Sequence, residues 1–140
     1  MNNGRKVIAY TDASVPNHHA PELILKCGWA FKLIFEDGHE EIKSGFTMCS
    51  TSYQMEMIAI LEAMKSITDK STVVEIRSDS ENTVKILNEE YKEHVNKELW
   101  NEIKRERDKF DDISFKSVIA DGKDKNLVEV HMLASKQAEK

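Results

Sequence analysis

Apolar and polar residues change period several times along the chain, and each change marks an element. Lys6-Val7-Ile8-Ala9-Tyr10 is a short, largely apolar run ending at Thr11-Asp12, which predicts a buried strand. A loop with both prolines, Pro16 and Pro21, follows. Residues 28–35 are β-rich, Glu36-Asp37-Gly38 supplies a turn, and residues 39–46 return, so a hairpin is predicted. Then Met55, Ile58, Leu61, Met64 and Ile67 recur every third residue, with Ala59, Ile60 and Ala63 between them. That pattern predicts a helix buried around most of its circumference, with Ser50, Thr51 and Ser52 as candidate caps. Residues 72–78 read as a β-branched strand, and Asp79-Ser80 opens a helix through Val84, Ile86 and Leu87. A further helical piece carries Leu99, Trp100, Ile103 and Phe110. Residues 113–120 alternate Ile113, Phe115, Ser117 and Ile119 and read as a strand. Past the Asp121-Gly122-Lys123-Asp124 loop, a last helix from Lys125 places Leu127, Val130, Ala134 and Ala138 on one face. The order β-β-β-α-β-α-α-β-α joins a hairpin meander to βα units, and so predicts an α/β (α+β) mixed sheet flanked by helices.

Composition narrows the class. A chain of 140 residues, 40% hydrophobic and 32% charged, fits one globular domain over residues 1–140. No apolar run approaches the roughly 18 residues of a membrane span, and the polar start has no apolar segment of a secretory leader. Cys27 and Cys49 are the only cysteines, which excludes a disulfide scaffold and a cysteine-built zinc site. A soluble, cytoplasmic protein with no membrane association and no obligate protein partner is expected. The net charge of −5 argues against nucleic-acid binding through a basic field over the whole surface. It leaves room for a nucleic-acid enzyme whose centre is acidic.

Three acids stand out by position: Asp12 and Asp79 at strand ends, and Glu56 near the start of the most buried helix. Ligands gather beyond the carboxyl ends of strands in α/β sheets, so Asp12 and Asp79 meet there if their strands are parallel neighbours. Close carboxylates raise one another's pKa unless a cation balances them, and hard divalent ions favour oxygen ligands. Two such ions can activate water and stabilise the leaving oxygen of a phosphodiester. Taken singly, each acid has a structural reading too: Asp12 in a turn, Asp79 as a helix cap, Glu56 facing a helix dipole.

The local sequences then become specific. K-V-I-A-Y-T-D-A-S (residues 6–14) resembles the first motif of type 1 ribonuclease H, where a strand ends in Thr-Asp-Gly-Ser. T-S-Y-Q-M-E-M-I-A-I-L-E-A (residues 51–63) is similar to the second motif, a helix carrying Met-Glu. V-E-I-R-S-D-S-E-N-T-V (residues 74–84) resembles the third, with Asp-Ser after a strand. Leu99-Trp100 and the tail V-H-M-L-A-S-K-Q-A extend the match over nearly the whole chain in order. The resemblance implies a five-stranded mixed sheet and endonucleolytic hydrolysis of the RNA strand of RNA–DNA hybrids by two Mg²⁺ or Mn²⁺ ions, leaving 5′-phosphate ends. It implies metal-ligand roles for Asp12, Glu56 and Asp79. It also places Ser14, Asn17, Thr51 and Ser52 against the hybrid, Thr51 at a DNA phosphate and Ser52 in the minor groove.

Several positions depart from the family pattern. His131 stands where a fourth acid is usual, and Asp121 where a loop histidine is usual. The basic helical protrusion of some members is replaced by a stretch with Glu89, Glu90 and Glu93 against Lys92. Phosphate contacts are therefore expected from scattered residues such as Lys26, Lys32, Lys85 and Lys123. Ser52-Tyr53 replaces Asn-Asn, and Glu81 replaces Gln. His131 shares a helical face with Leu127, Val130, Ala134 and Ala138, the pattern of a core histidine; by resemblance it is a catalytic residue, a metal ligand or in the ligands' outer shell. Neutral imidazole binds metal without adding negative charge, and suits later ions than Mg²⁺. His18, His19, His39 and His94 read as surface residues. Two alternatives stand beside the nuclease: an eroded module that binds hybrid or protein without cutting, and a proofreading-type exonuclease. The latter class places Asp-x-Glu in its first motif, where this chain has Asp12-Ala13-Ser14.

Overall fold

The structure is a computed structural model and describes residues 6–15, 25–49, 52–88, 97–119 and 122–139. In chain order the elements are β1 (Lys6–Ser14), β2 (Leu25–Phe35), β3 (Glu40–Cys49), α1 (Ser52–Ser66), β4 (Val73–Ser78), α2 (Glu81–Leu87), α3 (Lys97–Arg107), β5 (Asp112–Ser117) and α4 (Lys125–Glu139). This is the predicted order. The strands form one five-stranded sheet ordered β3-β2-β1-β4-β5. β2 pairs antiparallel with β1 and β3, while β1–β4 and β4–β5 are parallel.

Alternation along the strands sorts side chains to two faces. Val7, Ala9, Cys27, Trp29, Phe31, Leu33, Val74, Ile76 and Phe115 join α1, α2 and α3 in the larger core. Met55, Met57, Ala59, Ile60, Leu61, Ala63 and Met64 are all buried, so α1 is buried around most of its girth as predicted. Tyr10 and Ala30 meet Leu127, Val130 and Ala134 of α4 on the opposite face. Here Gly28 is required: a Cβ on it would lie 1.8 Å from the Ala134 carbonyl oxygen. Its bare backbone lets α4 lie directly on β2, beside the end of β1.

Several boundaries differ from expectation. β1 continues through Ser14 because its pairing with β2 outlasts its pairing with β4, which stops at Thr11↔Ser78. β5 ends at Ser117, where β4 runs out as a partner, and Ile119 is left exposed instead of facing the core. α3 stops at Arg107, so Phe110 packs into the core from the connection to β5. No helix among the described residues is long and apolar enough to cross a membrane.

Candidate active site

Parallel pairing of β1 with β4 sets the site. The last paired positions are Thr11 and Ser78, so Asp12 and Asp79 follow on adjacent strands at the same edge of the sheet. Asp12 lies within β1, still paired with Ala30 of β2, and is 2% exposed. Asp79 follows the last residue of β4. It does not cap α2; that position is Ser80, whose Oγ sits 2.7 Å from Thr83 Oγ1. Glu56, in the second turn of α1, completes the group. Ligand oxygens of Asp12, Glu56 and Asp79 all lie within 4.8 Å of one another.

Glu56 Oε1 is buried with no hydrogen-bond partner. Burial, followed by the charges of Asp12 and Asp79, raises the Glu56 pKa well above its ordinary value. Burial and then Asp79 push Asp12 up to about 6, against the pull of the Ala13 amide and His131. The Ala13 N–H donates to Asp12 Oδ1 at 2.8 Å, and His131 Nδ1 lies 2.9 Å from Asp12 Oδ2. Asp12 and Glu56, each pushed up by burial and by neighbouring acids, and the orphaned buried oxygen of Glu56 give a donor set suited to a hard divalent cation. Asp12, Asp79 and His131 open onto a cavity of about 280 Å³, also lined by Gly122, Leu127 and Val128.

His131 is not a core residue. Its side chain is 62% exposed, although Leu127, Val130 and Ala134 around it are buried. One α4 face therefore serves two environments, resting on the sheet at Leu127 and Ala134 and overhanging the acidic edge at His131. One turn on, the Ser135 hydroxyl donates to Ser14 Oγ at 3.5 Å. Ser135 carries no motif signal of its own, and its spacing of four from His131 is what places it on that face.

Of the other expected contacts, the Ser52 residue opens α1. Asn17, Thr51, Asp121, His18, His19 and His94 lie outside the described residues. His39 is exposed, as expected, with Nδ1 2.7 Å from Asp37 Oδ1 and its ring stacked on Phe35. For Lys32 the expectation of a phosphate contact needs correction. Lys32 is buried under α4, where its Nζ donates to Glu129 Oε1 at 2.7 Å and lies 3.4 Å from Glu40 Oε1. Lys85 is paired with Glu81 at 3.1 Å, and Lys26 lies over the Phe46 ring at 4.4 Å.

Comparison with known proteins adds the following. A family model described as RNase H matches residues 4–138. Ribonuclease HI of Rickettsia prowazekii is 40% identical over 75 residues, 54% of this chain and 45% of that protein. The chain thus spans about half the length of the curated relatives it matches. RNase H1 from the halophilic archaeon Halobacterium salinarum superposes with a TM-score of 0.76 at 21% identity, covering 96% of this chain and 98% of that one. LC11-RNase H1, solved in complex with an RNA/DNA hybrid, superposes with a TM-score of 0.77 at 22% identity, covering 96% and 97%. At these identities the solved structures speak to the fold.

Proposed function

The chain belongs to the RNase H family, and from that premise we propose that it is an endoribonuclease hydrolysing the RNA strand of RNA–DNA hybrids. The observation that carries this reading is the meeting of Asp12, Glu56 and Asp79 at one edge of the sheet, with the Glu56 Oε1 buried and unpartnered. These three would hold two divalent ions, Mg²⁺ or Mn²⁺, and His131 joins them through Asp12. When bound, such ions supply a water nucleophile at neutral pH and stabilise the oxygen that leaves.

The chain's own part is placement. The paired strands β1 and β4 fix two carboxylate-bearing positions on rigid backbone, and α1 brings the third from the side. Ser14, Asn17, Thr51 and Ser52 are assigned to the hybrid, with Ser14 beside the site at the end of β1. The sequence of the stretch from Glu89 to Glu93 is acidic where some members carry basic residues, and Lys32 is committed to Glu129, so binding is expected to be weak with a shallow salt dependence.

The test is cleavage of a hybrid labelled on its RNA strand, with Mg²⁺, with Mn²⁺ and with chelator. Internal RNA cuts that need the ion and vanish in Asp79→Asn support the proposal. Hybrid binding without cutting under either ion would support instead the eroded binding module, which the loss of the fourth acid to His131 favours.

A further inference from the structure

His131 stands apart from the three acids in how it reaches the site. The mutually close ligand atoms belong to Asp12, Glu56 and Asp79, whereas His131 touches the group at one point, Nδ1 to Asp12 Oδ2 at 2.9 Å. Asp12 Oδ1 already accepts the Ala13 amide at 2.8 Å. The carboxylate is therefore gripped at both oxygens, on a side chain with almost no exposed surface. The imidazole lies on the outside of that grip, mostly exposed, on the overhang of α4. A histidine bonded in this way to a ligating carboxylate fixes its orientation.

We propose that His131 is a positioning residue, which through its Nδ1–H holds Asp12 turned toward Glu56 and Asp79, and that the three carboxylates alone bind the cations. This rests on reading the acidic cluster as a metal site. Ligation through Nδ1 would cost the Asp12 bond, and ligation through Nε2 would keep it. The two nitrogens can be separated by substitution. Asparagine carries its amide N–H, a hydrogen-bond donor, the same number of bonds from Cα as Nδ1, and glutamine carries its amide oxygen, a ligand for hard ions, as many bonds out as Nε2.

The experiment is a titration of the full-length metal-free protein with Mn²⁺, read by the electron paramagnetic resonance of the free ion. His131→Asn should bind within about threefold of wild type, while His131→Ala and His131→Gln should weaken binding at least about tenfold, the range for loss of an outer-shell partner. Binding kept by Gln and lost by Asn would overturn the proposal in favour of Nε2 ligation. Unchanged binding by Ala would overturn any role for the ring. A second readout needs no metal. At about pH 8 the ring nitrogen shifts of His131 should report the Nδ1–H tautomer, and Asp12→Ala should release it. An Nε2–H tautomer in wild type would also overturn the proposal. If Mn²⁺ binding is not removed by Asp79→Asn, the metal reading of the cluster fails. If that control holds but the Asn and Gln pattern does not, only the role of His131 fails.

Discussion

Two charged clusters lie at the β1–β2 pair beside α4, two register positions apart. Lys32, opposite Tyr10, is buried but answered by Glu129 and Glu40. Asp12, two residues beyond Tyr10, is as deeply buried but sits among like charges. The Lys32 cluster is balanced within the chain, and its chemistry is finished on folding. The acidic cluster is left unbalanced, with a buried oxygen on Glu56 that has no donor. A fold tolerates such repulsion where an outside cation relieves it, and the contrast separates the site from the scaffold.

The largest expected difference between the clusters is in activity. Asp12→Asn or Asp79→Asn should reduce hybrid cleavage by at least about a hundredfold, because an amide does not balance a divalent ion. Glu129→Gln should leave the rate per folded molecule within a factor of about three, since Glu129 serves Lys32. Steady-state cleavage of purified variants checks both.

Next is metal-free stability as a function of pH. The Asp12 pKa is about 6 in the folded chain against about 3.9 unfolded, so the folded state holds the proton more tightly. Stability from this group is present below the unfolded value and is lost as pH rises through the folded one. The loss is on the order of 3 kcal/mol, and Glu56, also raised, extends it upward in pH. Asp12→Asn should remove that fall, so the mutant minus wild-type stability in chelator should grow between about pH 4 and pH 7. Urea unfolding at several pH values measures it. The difference removes opposite trends from Glu75 and Glu106, whose pKa values are lowered.

Smaller effects belong to the scaffold. Glu129→Gln strips the nearest counter-charge from buried Lys32, and with Glu40 still 3.4 Å away it should cost about 1–2 kcal/mol. Asp124 accepts the Asn126 N–H at 2.9 Å at the start of α4, and Asp124→Ala should cost about 1 kcal/mol. Neither loss should depend on divalent ions, and thermal unfolding with and without Mn²⁺ checks that.

The same contrast shows what could be read from sequence. Asp12, Asp79 and Glu56 were legible because strand ends and a heavily apolar helix are local patterns, and parallel pairing of β1 with β4 brings the first two together. Lys32 was misread because its burial depends on α4 crossing β2, which no local pattern announces. His131 was ambiguous for a related reason: helical spacing puts it beside Leu127 and Ala134, but only the placement of α4 on the sheet carries it past the core to Asp12. Ile119 failed as a core position because alternation says nothing of where β4 ends as a partner.

If a divalent cation completes the acidic edge, thermal unfolding near neutral pH must show it. Mn²⁺ at about a hundred times its dissociation constant should stabilise wild type by about 2.7 kcal/mol relative to chelator. Glu129→Gln should keep that increment, and Asp12→Asn should lose most of it. An increment absent from wild type, or undiminished in Asp12→Asn, would contradict the account.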